Sequence, residues 1–190
     1  SIMPLRAVLL DLGDVIMDES TEEKIADVTE RADLVPGMAD LVRDLHAAGM
    51  PLGLVADTRI GTYRNVLGLH GLFDQFSVFA ISDELGAMKP DERMFRFALE
   101  GLQIPRDGWG QVAMVGNNLA RDIRGANALG LISIWMAWNQ RYPSEPADAE
   151  EIPQFQVGSA GQLRELLNAL QSGRDTATFA YPAPFPWEQG

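Results

Sequence analysis

The sequence predicts an α/β fold, a three-layer arrangement in which a parallel sheet is covered by helices on both faces. Three observations predict it. Short runs of apolar residues recur along the 190-residue chain and are continuous rather than alternating, as strands buried on both faces require. Stretches with apolar residues at helical spacing separate them, which is the crossover that a parallel pair of strands needs. Acidic, amide and hydroxyl residues follow the strands, where an open parallel sheet gathers its ligands. Hydrophobic residues make up 46% of the chain, enough to build the core of one domain.

Residues 6–11 (RAVLLD) read as a buried strand, and 22–33 (EEKIADVTERAD) as a short polar helix. In GMADLVRDLHAAG, residues Met38, Leu41, Val42, Leu45 and Ala48 share a helical face, and Gly49 ends the helix. PLGLVAD (51–57) is a second buried strand, IGTYRNVLGLHGL (60–72) a helix and FSVFAIS (76–82) a third strand. DERMFRFALEGL (91–102) is a helix with an acidic first turn, and QVAMVG (111–116) a fourth strand. A helix over LARDIRGANALG (119–130), a fifth strand over LISIWMA (131–137) and a serine-capped helix over SAGQLRELLNALQ (159–171) complete the core.

The predicted core spans residues 1–172, and 173–190 form a tail in which prolines interrupt Phe179, Tyr181, Phe185 and Trp187. Such an arm packs back on its own core, stays disordered, or docks on a second copy, so a homo-oligomer formed through the tail is one expectation. The net charge of −12 argues against generic nucleic-acid binding, which relies on clustered Lys and Arg. The absence of cysteine excludes disulfides, thiol nucleophiles and thiolate metal sites. No apolar run approaches the roughly 18 residues that cross a bilayer. With no signal peptide legible, a cytoplasmic, membrane-free protein is expected.

The strand ends carry the chemistry. Asp11, Gly13 and Asp14 follow the first strand, and Asp57, Thr58 and Arg59 the second. Ser82, Asp83, Glu84 and then Lys89 follow the third, and Gly116, Asn117, Asn118 and Asp122 the fourth. A single aspartate after a strand is most often a cap or turn residue. The ordered set of acids, amides, a hydroxyl and a lysine suits a divalent ion held together with a phosphoryl group.

In this order, LLDLGDVI, LGLVADT, KPDERMF and MVGNNLARDIRGANALG resemble the four signature segments of the haloacid dehalogenase (HAD) superfamily, over nearly all of the chain to about residue 170. The resemblance implies a Rossmann-like parallel sheet and, in most members, a magnesium-dependent phosphatase. Asp11 matches the nucleophile that forms an aspartyl-phosphate, and Lys89 the lysine that neutralises it. The Mg2+ ligands implied are Asp11, the backbone carbonyl of Gly13, the position of Asn117, and Asp122. Thr58 and Arg59 are expected to bind the substrate, the Thr58 hydroxyl and the backbone amides after the second strand contacting its phosphoryl group.

Three positions depart from the pattern. Gly13 stands where most phosphatases of the family have a second aspartate, the general acid. Ala56 stands where a Ser or Thr is usual, leaving Thr58 to supply the hydroxyl and Asp57 to face elsewhere, for instance toward Arg59. Asn117 replaces an acid and weakens the pull on a hard cation. Asp14 and Asp18 are expected to be loop residues rather than ligands. The intervals 19–50 and 60–88 leave no room for a sizeable cap domain, which suits a large phosphorylated substrate or a lid from a neighbouring subunit.

The expected function is therefore a divalent-metal-dependent phosphatase working through Asp11. The alternatives are a catalytically impaired HAD-like binding module and a dehalogenase, which depends on a cap not visible here.

Overall fold

A computed structural model describes residues 4–182. Its centre is a six-stranded sheet, all of whose pairings are parallel. The strands are β1 (Ala7–Leu10), β4 (Leu52–Ala56), β5 (Val78–Ile81), β6 (Val112–Gly116), β7 (Ile132–Met136) and β8 (Phe155–Val157), in the order β5-β4-β1-β6-β7-β8. A separate hairpin joins β2 (Glu23–Ile25) to β3 (Val28–Arg31). The helices are α1 (Met38–Ala47), α2 (Ile60–Leu69), α3 (Ser82–Leu85), α4 (Glu92–Gly101), α5 (Arg124–Ala128) and α6 (Ala160–Ser172).

The period-2 geometry of a strand explains the three layers. On β1, Val8 and Leu10 face the cluster formed with Met38, Leu41 and Val42 of α1, Tyr63, Val66 and Leu67 of α2, and Leu163, Leu166 and Leu167 of α6. Ala7 and Leu9 face the opposite cluster, built on Met94, Phe95, Ala98 and Leu99 of α4 and Ala126 of α5. On β6, Ala113 and Val115 take the first side, Val112 and Met114 the second. Both faces are dry, so the alternation never reaches the polarity pattern and the strands read as unbroken apolar runs. Among the described residues no helix is long and apolar enough to cross a membrane.

Beside the unexpected one-turn helix α3, two elements differ from the sequence reading. The segment expected to be a polar helix is the β2–β3 hairpin. Ala26 (φ 49°) and Asp27 (φ 69°) are both left-handed at its tip, the conformation of a two-residue turn that matches strand twist. The hairpin leans on α2. The Thr29 N–H donates to Thr62 Oγ1 (3.0 Å), Asn65 Nδ2 donates to the Thr29 carbonyl (3.0 Å), and Gly61 lets Val28 approach where a Cβ would meet it at 2.7 Å. Tertiary contacts thus override the helical spacing of Ile25 and Val28. The second difference is β8, three residues long, which extends the sheet beyond the five expected strands.

The described part of the tail returns to the core. Ala180 bridges to Phe155, Phe179 packs on the first cluster, and the Tyr181 ring lies 6.2 Å from that of Trp135. Phe185 and Trp187, singled out in the sequence, lie outside the described residues.

Candidate active site

The chain winds outward from β1 in both directions, through β4 to β5 and through β6 to β8, so the carboxyl end of β1 is the switch point of the sheet. Asp11 stands there, its N–H bonded to the Val115 carbonyl (3.0 Å) and its Oδ1 accepting from the Leu12 N–H (2.8 Å). It opens onto a cavity of about 160 Å³ lined also by Gly13, Glu19, Thr58, Lys89, Arg121, Asp122 and Tyr142.

Lys89 is the electrostatic hub. Its side chain is 2% exposed, and its Nζ lies 3.0 Å from Asp11 Oδ1, 2.6 Å from Asp122 Oδ1 and 2.7 Å from the Val55 carbonyl oxygen. Burial works against the ammonium, but Asp11, Asp122 and Asp57 outweigh it and hold its proton more tightly than usual. Burial pushes the Asp11 carboxyl up to about 7 against the pull of Lys89, with Asp122 adding repulsion. A second cation beside Asp11 would lower it again.

Asp122 reaches the site through backbone geometry. Asn118 caps a wide π turn over Leu119–Ile123, its side chain accepting from the Ala120 N–H (3.1 Å), and its own N–H donates to Asp122 Oδ2 (3.1 Å). A Cβ on Gly116 would fall inside the Asp122 carboxylate, so only glycine lets that side chain lie across the end of β6. The motif signal from Gly116 to Asp122 thus has a steric cause.

Not every residue expected at the site lines this cavity. Arg59 pairs with Asp83 (3.4 Å) and lines a neighbouring hollow of about 600 Å³, which shares Glu22, Lys24, Asp57 and Thr58 with the first. Asp57 faces Arg121 (3.3 Å) rather than Arg59, and accepts from the Lys89 N–H (2.9 Å), anchoring the lysine's backbone. The Thr58 N–H is engaged by Ser82 Oγ (2.9 Å). Asn117 is buried beside the cavity rather than lining it, and its carbonyl accepts from Trp135 Nε1 (3.1 Å). Asp14 is a loop residue, as expected, but it is fully buried and bonded to Arg141.

Glu19, Glu22, Lys24, Arg121 and Tyr142 line the cavity without having been marked in the sequence. They arrive from the hairpin side, from the π turn and from the loop after β7, and no motif spacing announces them. Tyr142 is half-buried, and burial followed by the charges of Glu19 and Asp11 pushes its phenol above the usual range.

The donor set fits a hard divalent cation, with reduced charge. Asp11 and Asp122 supply carboxylates to the cavity, while Asn117 Oδ1, beside it, is buried without a hydrogen-bond partner. Among the described residues no three His, Cys, Asp or Glu side chains gather around one point, so the remaining ligands would be neutral oxygens.

Comparison with known proteins places the chain in a family. The family model for haloacid dehalogenase-like hydrolases matches residues 4–130. Phosphoserine phosphatase of Thermus thermophilus is 33% identical over 139 residues, 73% of this chain and 52% of that protein. Glyceraldehyde 3-phosphate phosphatase of Methanopyrus kandleri is 28% identical over 104 residues, 55% of this chain and 42% of that protein. The chain therefore spans about half the length of these relatives. The crystal structure of a HAD phosphatase from Thermococcus onnurineus superposes with a TM-score of 0.70 at 19% identity, covering 88% of this chain and all of that one, which speaks to the fold alone. Because the family match runs over more than half of the chain, the protein belongs to the haloacid dehalogenase-like hydrolases.

Proposed function

We propose that the chain is a divalent-cation-dependent phosphomonoester hydrolase in which Asp11 is the nucleophile. The observation that carries this reading is the buried triad at the switch point, Asp11 and Asp122 joined through Lys89 Nζ. An anionic carboxylate attacks an anionic phosphate ester only when fixed positive charge faces both, and Lys89 supplies it where water is excluded. Asp122 orients the lysine and balances its charge.

Asp11, the Gly13 carbonyl and Asp122, which line the cavity, would hold a magnesium ion, which when bound supplies charge neutralisation for Asp11 and the phosphoryl oxygens. Thr58 lines the cavity opposite, where its hydroxyl can donate to a phosphoryl oxygen. Arg59, in the adjoining hollow, is placed for the far part of a substrate. The relatives named as phosphatases of phosphoserine and glyceraldehyde 3-phosphate support a phosphomonoester as the substrate. Between β1 and α1 the described residues hold only a short 3-10 turn (Glu19–Thr21) and the small β2–β3 hairpin, so we read the protein as a minimal-cap member whose wall comes from Glu22, Lys24 and Tyr142.

The test is turnover of p-nitrophenyl phosphate by purified protein, with magnesium and with EDTA, beside Asp11→Asn. The expected result is metal-dependent release of nitrophenol that Asp11→Asn reduces to background. No turnover with magnesium, or full activity in Asp11→Asn, would overturn the proposal.

A further inference from the structure

Hydrolysis of an ester with a poor leaving group needs a proton on the departing oxygen. Gly13, two residues beyond Asp11, cannot provide one. We infer that Glu19 does, its carboxyl group occupying the space that Gly13 leaves open beside the nucleophile. The inference rests on the phosphatase reading above and extends it.

The geometry is specific. A Cβ built on Gly13 would fall inside Glu19 Oε1 and lie 2.8 Å from Glu19 Cδ, and the three atoms nearest to it all belong to Glu19. The space of a side chain at position 13 is therefore filled by a carboxyl group from position 19. Gly13 has no left-handed φ, so the backbone would accept another residue, and Glu19 is what stands nearest in its way.

Glu19 is held there. Asp18 caps the short 3-10 turn Glu19–Thr21 by accepting from the Ser20 N–H (3.0 Å), and the Glu19 N–H donates to Asp14 Oδ1 (3.0 Å). Arg141 Nε, bonded to Asp14, lies 3.2 Å from Glu19 Oε2. Arg141 thus pairs with one oxygen of Glu19 while the other lies against Gly13, in a residue that lines the cavity.

The other carboxylates of the cavity are engaged elsewhere. Asp122 is on Lys89, Asp57 on Arg121 and the Lys89 N–H, and Glu22 accepts from the Thr29 hydroxyl. Asp11 Oδ bonds to phosphorus, the P–O bond to the alcohol breaks with its electron pair going to that oxygen, and the Glu19 carboxyl proton completes the alcohol. In the second half, water attacks the phosphorus of the aspartyl-phosphate, its proton passes to the Glu19 carboxylate, and Asp11 is regenerated with release of phosphate.

The test compares an ester that needs the proton with one that does not. With magnesium present, kcat/KM is measured on glycerol 2-phosphate and on p-nitrophenyl phosphate for wild type, Glu19→Gln, Tyr142→Phe and the double variant Gly13→Asp/Glu19→Ala. Glu19→Gln is expected to lose about 10²-fold on the alkyl ester and less than about 10-fold on the aryl ester, within the usual range for a missing general acid. The double variant, with a carboxylate returned to the same space from position 13, is expected to recover most of the alkyl-ester rate, and it carries the test if Glu19→Gln does not fold. Equal losses on both esters, an alkyl-ester rate untouched by Glu19→Gln, or the leaving-group-dependent loss appearing in Tyr142→Phe instead would each overturn the inference. Failure of the wild type on both esters would overturn the phosphatase reading itself.

Discussion

Replacing Lys89 by methionine keeps the length of the side chain and removes its charge, and the structure fixes what should follow. The ammonium is buried against Asp11, Asp122 and the Val55 carbonyl, so the substitution leaves two desolvated carboxylates facing each other. Breaking a buried ion pair by removing one partner costs about 3–5 kcal/mol. That penalty should depend on pH with a definite sign. The folded Asp11 carboxyl, at about 7, lies above its ordinary value of 3.8, so its contribution to stability is full below about 4 and is lost as pH rises through about 7.

Without Lys89 the carboxyl moves higher still, because the pull of the lysine is gone. Above pH 7 the wild-type Asp11 is ionised in both folded and unfolded chains, while the variant must keep a proton that its unfolded chain has lost. The stability gap should therefore be flat from pH 5 to 7 and widen above 7 by up to about 1.4 kcal/mol per pH unit. Urea unfolding of both proteins in EDTA at pH 5, 6, 7, 8 and 9 reads it directly. A penalty below about 1 kcal/mol, or one that narrows above pH 7, would refute the reasoning.

Other substitutions probe the site's supports. Gly116→Ala pushes a methyl group into the Asp122 carboxylate and Gly125→Ala pushes one into the Phe95 ring, so each should cost about 1–3 kcal/mol in thermal unfolding. Only Gly116→Ala should also abolish aryl phosphate turnover, because it alone displaces a partner of Lys89. At the hairpin tip, Ala26→Asn with Asp27→Gly gives the turn the residues its left-handed geometry favours. Unfolding should shift toward higher stability by roughly 1 kcal/mol, with turnover unchanged.

The sheet was largely readable because its strands are buried on both faces, so apolar runs such as Ala7–Leu10 and Val112–Gly116 stand out without knowledge of the partner strand. The hairpin was not. Its Ile25 and Val28 are three apart, as on a helix, and its turn uses Ala26 and Asp27 in place of the Asn-Gly that usually marks one. β8 is too short to carry a periodic signal.

At the site, Asp11, Lys89 and Asp122 were legible because the order of strand ends determines which loops meet. Arg121, Tyr142 and Glu19 were not, since their places depend on how a π turn, the loop after β7 and a short 3-10 turn fold back over the cavity. Gly13 was read as a loss, the acid missing beside the nucleophile. The space it leaves is occupied by Glu19, whose register six residues on belongs to tertiary packing rather than to any motif.

The central claim is that Asp11 forms a covalent bond to phosphorus. Protein quenched during turnover of p-nitrophenyl phosphate with magnesium and reduced with borohydride converts an aspartyl-phosphate to homoserine, which peptide mass spectrometry locates. Homoserine is expected at position 11 and nowhere else, and none in Asp11→Asn. Turnover that proceeds with position 11 remaining aspartate, or with the modification on another residue, would contradict it.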